Sequence, residues 1–209
     1  MGHSVKTVPP VFDPDSTLVR RYRATGQKEA FEALFRKYQA PIYALVHRMI
    51  GGEDTYDVTQ EVFLRALRSL NSFRGDCSFR TWLYTIARHV CYNHCRDLKR
   101  RNAIEGALGF DADGDDETMD DLPDPFLNVE KVAETRELQR AAAAVLLRLS
   151  PEQRLLITLR DFDGMSYDEI MRITDLPMSA VKSKLHRARL AFKKSFQPYM
   201  DLLDEYFQE

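Results

Sequence analysis

The stretch Ser166-Tyr167-Asp168-Glu169-Ile170, then Ile173-Thr174-Asp175-Leu176-Pro177, then Ser179-Ala180-Val181-Lys182-Ser183-Lys184-Leu185-His186-Arg187-Ala188-Arg189 decides the fold of the C-terminal part of the chain. Ser166 followed by Glu169 has the spacing of a capping box, in which side chain and backbone satisfy each other at a helix start. The helix opened there is short, because Thr174-Asp175-Leu176-Pro177 is a turn. Beyond it Val181, Leu185, Ala188 and Phe192 keep helical spacing. A short helix, a tight turn and a longer helix make a helix-turn-helix.

The long helix of that motif is basic on a second face, where Lys182, His186, Arg189 and Lys193 recur. A major groove accepts one α-helix, whose early residues reach base edges while flanking cations meet phosphates. Ser179, Lys182, Ser183 and His186 are placed to read bases; Arg187, Arg189, Lys193 and Lys194 suit phosphates. A solvated basic helix face is the plain alternative.

Working outward, Ser150-Pro151-Glu152-Gln153 is a second capping box, with Pro at the first helical position. It follows a helix expected over residues 129–149. Asp163-Gly164 turns the chain between the two boxes. In the N-terminal half, Ser16 caps a short helix that ends at Gly26. Phe31, Leu34, Phe35, Tyr38, Ile42, Leu45, Val46 and Met49 then line one face of a long helix, which Pro41 can kink or split. Asp54 or Thr55 opens a third helix, with Val58, Phe63, Leu67 and Leu70 inward. Ser78 caps a fourth of about 22 residues, with Phe79, Leu83, Ile86 and Val90 inward. No strand pattern is found, so the expected class is all-α.

Charge is unevenly placed. Residues 62–101 hold nine bases and two acids, residues 102–125 nine acids and no base, and residues 176–198 six bases and no acid. Two basic blocks favour a polyanion, and nucleic acid is the usual one. The acidic stretch between them has no apolar period and reads as a flexible linker; it either competes with DNA for the basic faces or serves as a solvated connector. Asp111-Ala112-Asp113-Gly114-Asp115 is a poor calcium loop, because its glycine is fourth instead of sixth. The expected organisation is a disordered arm (1–15), a first helical domain (16–101), the acidic linker (102–127), a helix-turn-helix domain (128–197) and an acidic amphipathic tail (198–209).

Several classes are excluded. The longest apolar run, residues 141–147, is far short of the roughly 20 residues that span a membrane. The N-terminus has no secretory apolar segment. Three cysteines do not make a disulfide framework, and a reducing cytoplasm is the simplest setting. Cys91 and Cys95, with His89 and His94 near, offer a weak zinc or redox pattern, against unremarkable thiols. Paired catalytic carboxylates, a phosphate loop and a nucleophile motif are absent, so neither an enzyme nor a cofactor is expected.

The C-terminal half, from Leu149-Ser150-Pro151-Glu152 through Asp163-Gly164-Met165-Ser166-Tyr167 to Val181–Arg189, resembles region 4 of extracytoplasmic-function sigma factors of bacterial RNA polymerase. The N-terminal half resembles their region 2 at Asp57-Val58-Thr59-Gln60-Glu61-Val62-Phe63-Leu64-Arg65-Ala66, Ser72-Phe73-Arg74-Gly75, and Phe79-Arg80-Thr81-Trp82-Leu83 with Ile86-Ala87-Arg88. The resemblance covers residues 18–101 and 129–194. It implies an alternative sigma factor that binds core RNA polymerase and promoter DNA and that an anti-sigma factor holds in check. Asp57, Gln60, Glu61 and Arg65 then face the polymerase. Arg80, Trp82, Thr85, Arg88, His89, Tyr92, Asn93 and Arg96 then serve the melted minus-ten element, which needs aromatic platforms and cations. Trp82 serves equally well as core. Three positions depart from the family: His89 replaces a common Asn, Asp175 a common Gly, and Ser179-Ala180 a common Gly-Thr. A free-standing helix-turn-helix regulator is the alternative, but it needs no region 2.

Overall fold

The computed structural model describes residues 13–107 and 129–206. Eight α-helices follow one another there: α1 (Ser16–Thr25), α2 (Lys28–Ile50), α3 (Thr55–Ser69), α4 (Phe79–Ala107), α5 (Val129–Arg148), α6 (Pro151–Ile157), α7 (Tyr167–Thr174) and α8 (Met178–Tyr206). No strand occurs among the described residues, as the all-α reading requires. The body of the acidic linker, and residues 1–12 of the N-terminal arm, lie outside the described residues.

The first four helices pack as α1 on α2, α2 on α3 and α4, and α3 on α4. The expected stripe of α2 is buried at Leu34, Tyr38, Ile42, Leu45, Val46 and Met49. Pro41 lies inside α2 without ending it; it is solvent-exposed, on the side away from the stripe. Asp15, not Ser16, is the N-cap of α1. Asp13 and Asp15, assigned to the arm, are instead buried. Asp13 accepts from the Phe79 N–H at 2.8 Å, and Asp15 accepts from Lys37 at 2.6 Å and from the Tyr38 hydroxyl at 2.5 Å. These two carboxylates tie the entry of the chain to α2 and to the start of α4, where the helix dipole favours a negative charge. Burial and the Asp15 carboxylate push the Tyr38 phenol far above its ordinary value.

Ser78 caps α4 as expected, its hydroxyl accepting from the Thr81 N–H at 3.1 Å. The helix is longer than anticipated and continues to Ala107, through residues assigned to the linker. Leu67, expected inward, is 36% exposed, while Leu70 is buried in the 3-10 turn Leu70–Ser72.

Both capping boxes of the second half form. Ser150 receives the Gln153 N–H and Ser166 the Glu169 N–H, each at 3.3 Å, with the reciprocal bonds at 3.2 and 2.9 Å. Between them α6 widens into one π-helical turn, Thr158–Phe162, a form that recurs at functional sites. Asp175 takes the left-handed conformation, φ 57, and is the one non-glycine residue to do so among the described residues. Its short polar side chain tolerates this better than most. The last helix does not stop at residue 196: α8 runs on through Pro198 to Tyr206, so the segment assigned to a separate tail begins as part of this helix.

The two halves share one apolar core. Leu146, Leu149, Leu155 and Leu156 belong to the same buried cluster as Ile42, Met49 and Cys91, and α7 packs on α4 while α5 and α6 pack on α2.

Candidate nucleic-acid interface

The first surface is built by α8. Val181, Leu185 and Ala188 are buried against the rest of the second half, which turns the opposite side of the helix outward. Ser179, Lys182, Ser183, His186, Arg187 and Lys193 are all exposed there. Lys182 Nζ lies 5.7 Å from the Tyr167 ring centroid, so its ammonium is steered by an aromatic face. Ser183 Oγ donates to the Ala180 carbonyl at 3.2 Å, and Arg187 Nε to the Ser183 carbonyl at 3.4 Å. Arg189 differs: its guanidinium is forked onto the Asp161 carboxylate, with Nε at 3.0 Å and a second bond from Nη2. Its charge is matched within the protein, and that hydrogen bond holds the Arg189 pKa above its ordinary value.

The second surface is built by α4. Its expected stripe is only partly one surface. Trp82 is half-buried, 5.2 Å from Phe73 and 5.6 Å from Phe79 between ring centroids. Thr85 Oγ1 donates to the Thr81 carbonyl at 2.9 Å. Arg80 donates to the Asp163 main-chain carbonyl at 2.7 Å and lies 5.5 Å from the Tyr84 ring. Arg88 donates to the Ile173 carbonyl at 2.5 Å and lies 5.7 Å from the Tyr92 ring. Tyr92 is half-buried, its phenol pushed up to about 12 mainly by burial. His89 is exposed, 3.2 Å from Arg88 Nη2; partial burial and then the Arg88 charge lower its pKa. Arg96 is exposed at the far end, 3.9 Å from Asp97. Asn93 turns toward α3 instead, lining a shallow groove with Asp57, Glu61, Arg65 and His94.

The outward face of α3 is the third surface. Asp57 and Gln60 are exposed there, and Arg65 Nε donates to Glu61 Oε1 at 2.5 Å. Beside them stand three exposed apolar side chains, Tyr56, Leu64 and Leu67. The sequence signal for the leucines was an apolar pair one turn apart, off the Val58-Val62-Ala66 stripe. Cys91 is fully buried and burial pushes its thiol up to about 12, so it is a poor nucleophile.

Comparison with known proteins bears on these surfaces. The Sigma-70 region 2 family matches residues 34–101, and the Sigma-70 region 4 family matches residues 139–192. The ECF RNA polymerase sigma-E factor of Escherichia coli K12 is 37% identical over 190 residues, covering 88% of this chain and 95% of that protein. This chain is an extracytoplasmic-function sigma factor. The RNA polymerase sigma-H factor of Pseudomonas aeruginosa is 34% identical over 191 residues, 90% of this chain and 96% of that one. Two solved structures share the fold, each with TM-score 0.61. They are CnrH in complex with the cytosolic domain of CnrY, at 24% identity over 89% of this chain and 99% of that chain, and the Bartonella quintana sigma factor RpoE in complex with the anti-sigma factor NepR, at 21% over 80% and 96%. Sigma factors are initiation subunits, not catalysts: they act with core RNA polymerase at promoter DNA. No helix among the described residues is long and apolar enough to cross a membrane.

Proposed function

We propose that this sigma factor divides promoter recognition between two of its surfaces and docks on polymerase through the third. Ser179, Lys182, Ser183 and His186 on α8 read the minus-thirty-five duplex, with Arg187 and Lys193 on its phosphates. Arg80, Arg88, Tyr92 and Arg96 on α4, with His89, hold the separated strand of the minus-ten element, and Trp82, Thr85 and Asn93 stabilise that surface from its margins. Asp57, Gln60, Glu61 and Arg65 on α3 meet core polymerase, joined by Leu64 and Leu67, whose exposure gives that polar face an apolar centre of the kind stable interfaces have. The functional units are residues 16–101 and 128–197. The protein has no catalytic activity of its own, works in the cytoplasm, and is restrained by an anti-sigma factor, as the partners of CnrH and RpoE suggest.

The observation that carries the reading is the exposed row Ser179, Lys182, Ser183 and His186 directly after a left-handed turn and above a buried stripe. That is the disposition a groove-reading helix needs. The test is transcription in vitro. The protein with core polymerase should start RNA synthesis at a cognate promoter, and neither should do so alone. Asp57→Lys with Glu61→Lys should weaken core binding with helical content unchanged; normal core binding by that variant overturns the docking assignment.

A further inference from the structure

Two side chains of the N-terminal segment hold the ends of the loop that leads into α4. The loop runs from Phe73, just after the 3-10 turn, to Phe79, the first residue of α4. At one end Arg23 Nη1, on α1, donates to the Phe73 carbonyl at 3.0 Å. At the other, Asp13 Oδ2 accepts from the Phe79 N–H at 2.8 Å. Ser78 caps the Thr81 N–H of the same helix, so Asp13 supplies an acceptor for an orphan donor that Ser78 leaves open. Asp13 is itself fixed: its Oδ1 accepts from the Asp15 N–H at 3.1 Å, and Asp15 is held by Lys37 and Tyr38. Phe73 and Phe79 are buried, their rings edge to face with centroids 6.1 Å apart, and Trp82 packs on both. The indole beside the strand surface therefore stands on two phenylalanines, and the backbone of each is pinned from the N-terminal segment.

We propose that the chain entry and α1 brace the protein for promoter melting, with Asp13 and Arg23 as positioning residues that fix Trp82 and the first turn of α4 against the separated strand. The proposal rests on the reading of α4 given above. Neither side chain touches DNA in it. Arg80 and Trp82 both stand in the first turn of α4, so a change in how that turn is anchored moves both. A strand gains most from an aromatic surface that is already in place, because ordering side chains on binding costs free energy. The Asp13 bond is charge-assisted, and a buried Phe79 N–H left without it would bear its full desolvation cost. Arg23 is exposed and is the weaker hold. The outward row of α8 and the outward face of α3 take no part in either bond, so the brace acts on strand capture alone.

The test uses the full chain. Trp82 is the single tryptophan, so its emission reports on this site in the free protein. With core RNA polymerase added, binding and melting are measured separately on a promoter that the wild-type holoenzyme has selected from random-sequence duplexes. Asp13→Ala should shift the emission to longer wavelength and slow melting about 10-fold, the scale of one lost bond to a charged group, with promoter binding before melting unchanged. Arg23→Ala should act the same way but only about 3-fold, because that bond is exposed to solvent. Arg23→Lys, which can still donate to the Phe73 carbonyl, should restore both readouts. If Asp13→Ala loses helical content, the Arg23 variants decide. Normal emission and normal melting in the alanine variants overturn the brace. A shifted emission with normal melting overturns the positioning role, and so does an equal loss of promoter binding and melting, which marks general destabilisation. Arg80→Ala with Arg88→Ala runs alongside. If that variant melts the promoter normally, the reading of α4 falls and the brace with it. If it melts slowly while Asp13→Ala and Arg23→Ala do not, the brace alone is overturned.

Discussion

α4 and α8 are the two longest helices among the described residues, each 29 residues long with six Lys or Arg, yet they are disposed in opposite ways. On α8 the cations on the outward row stand in solvent, apart from Arg189, and the buried side is purely apolar. On α4 the first two arginines, Arg80 and Arg88, are half-buried and bonded to main-chain carbonyls of the other half. On the function proposed above, the difference follows from what each target requires. A duplex groove is ready-made, so a reader can be displayed at all times. A single strand exists only after melting, and an exposed basic face for it would bind any strand without discrimination.

The sharpest way to break this comparison is on α8 itself. Lys182→Ala should cut discrimination between matched and altered minus-thirty-five duplexes by about 1–3 kcal/mol. Lys193→Ala should weaken all sequences alike and flatten the salt slope by about one ion. A paired titration at two salt concentrations separates them. If both variants lose only general affinity, Lys182 is another phosphate contact and specificity sits with Ser179, Ser183 or His186.

Arg189→Ala sharpens it next. Because Arg189 is forked onto Asp161 at the protein surface, its loss should lower stability by about 0.5 kcal/mol and leave the salt slope nearer wild type than Lys193→Ala does. Denaturant melts and the same titrations check this. Asp175→Gly, at the left-handed turn that aims α8, should change stability by less than about 1 kcal/mol, in the stabilising direction. A loss there means that the Asp side chain contributes more to the turn than its conformation costs.

The smallest effect concerns α4 and pH. Burial raises the Asp163 carboxyl above its ordinary 3.8, with Arg48, Arg80 and the Tyr84 hydrogen bond opposing. The folded chain therefore takes up a proton at Asp163 at higher pH than the unfolded chain does. At this site falling pH favours the folded state, starting above 3.8, and rising pH removes that contribution. In denaturant melts Asp163→Asn should be slightly more stable than wild type at neutral pH, and the difference should shrink on acidification.

Local chemistry explains what was legible from sequence. The Ser150 and Ser166 boxes, the Asp175 turn and the apolar stripe of α8 each need only a few neighbouring residues, and all formed where expected. The α4 stripe was less legible. Helical spacing puts Trp82, Thr85, His89, Asn93 and Arg96 in a row, but it cannot show that region 4 covers Arg80 and Arg88, or that Asn93 turns to α3. Arg154, buried and donating to the carbonyls of Met49, Leu146 and Leu149, was missed because a single arginine among Leu155, Leu156 and Ile157 looks like an ordinary helical cation. Its signal was a charge standing in a run that is otherwise buried. Asp13 and Asp15 were hidden by the prolines around them, which imitate a loose arm.

The unbroken course of α8 has a mechanical consequence. Twenty-nine residues at 1.5 Å each make a rod about 43 Å long. Its start at Met178 and its second half, where Phe192, Phe196 and Tyr199 stack in succession, are one lever. A tilt of about ten degrees at the Asp175 turn swings the other end by roughly 7 Å. On the function proposed above, whatever grips that end sets the angle at which Ser179, Lys182, Ser183 and His186 meet DNA, without touching any of them.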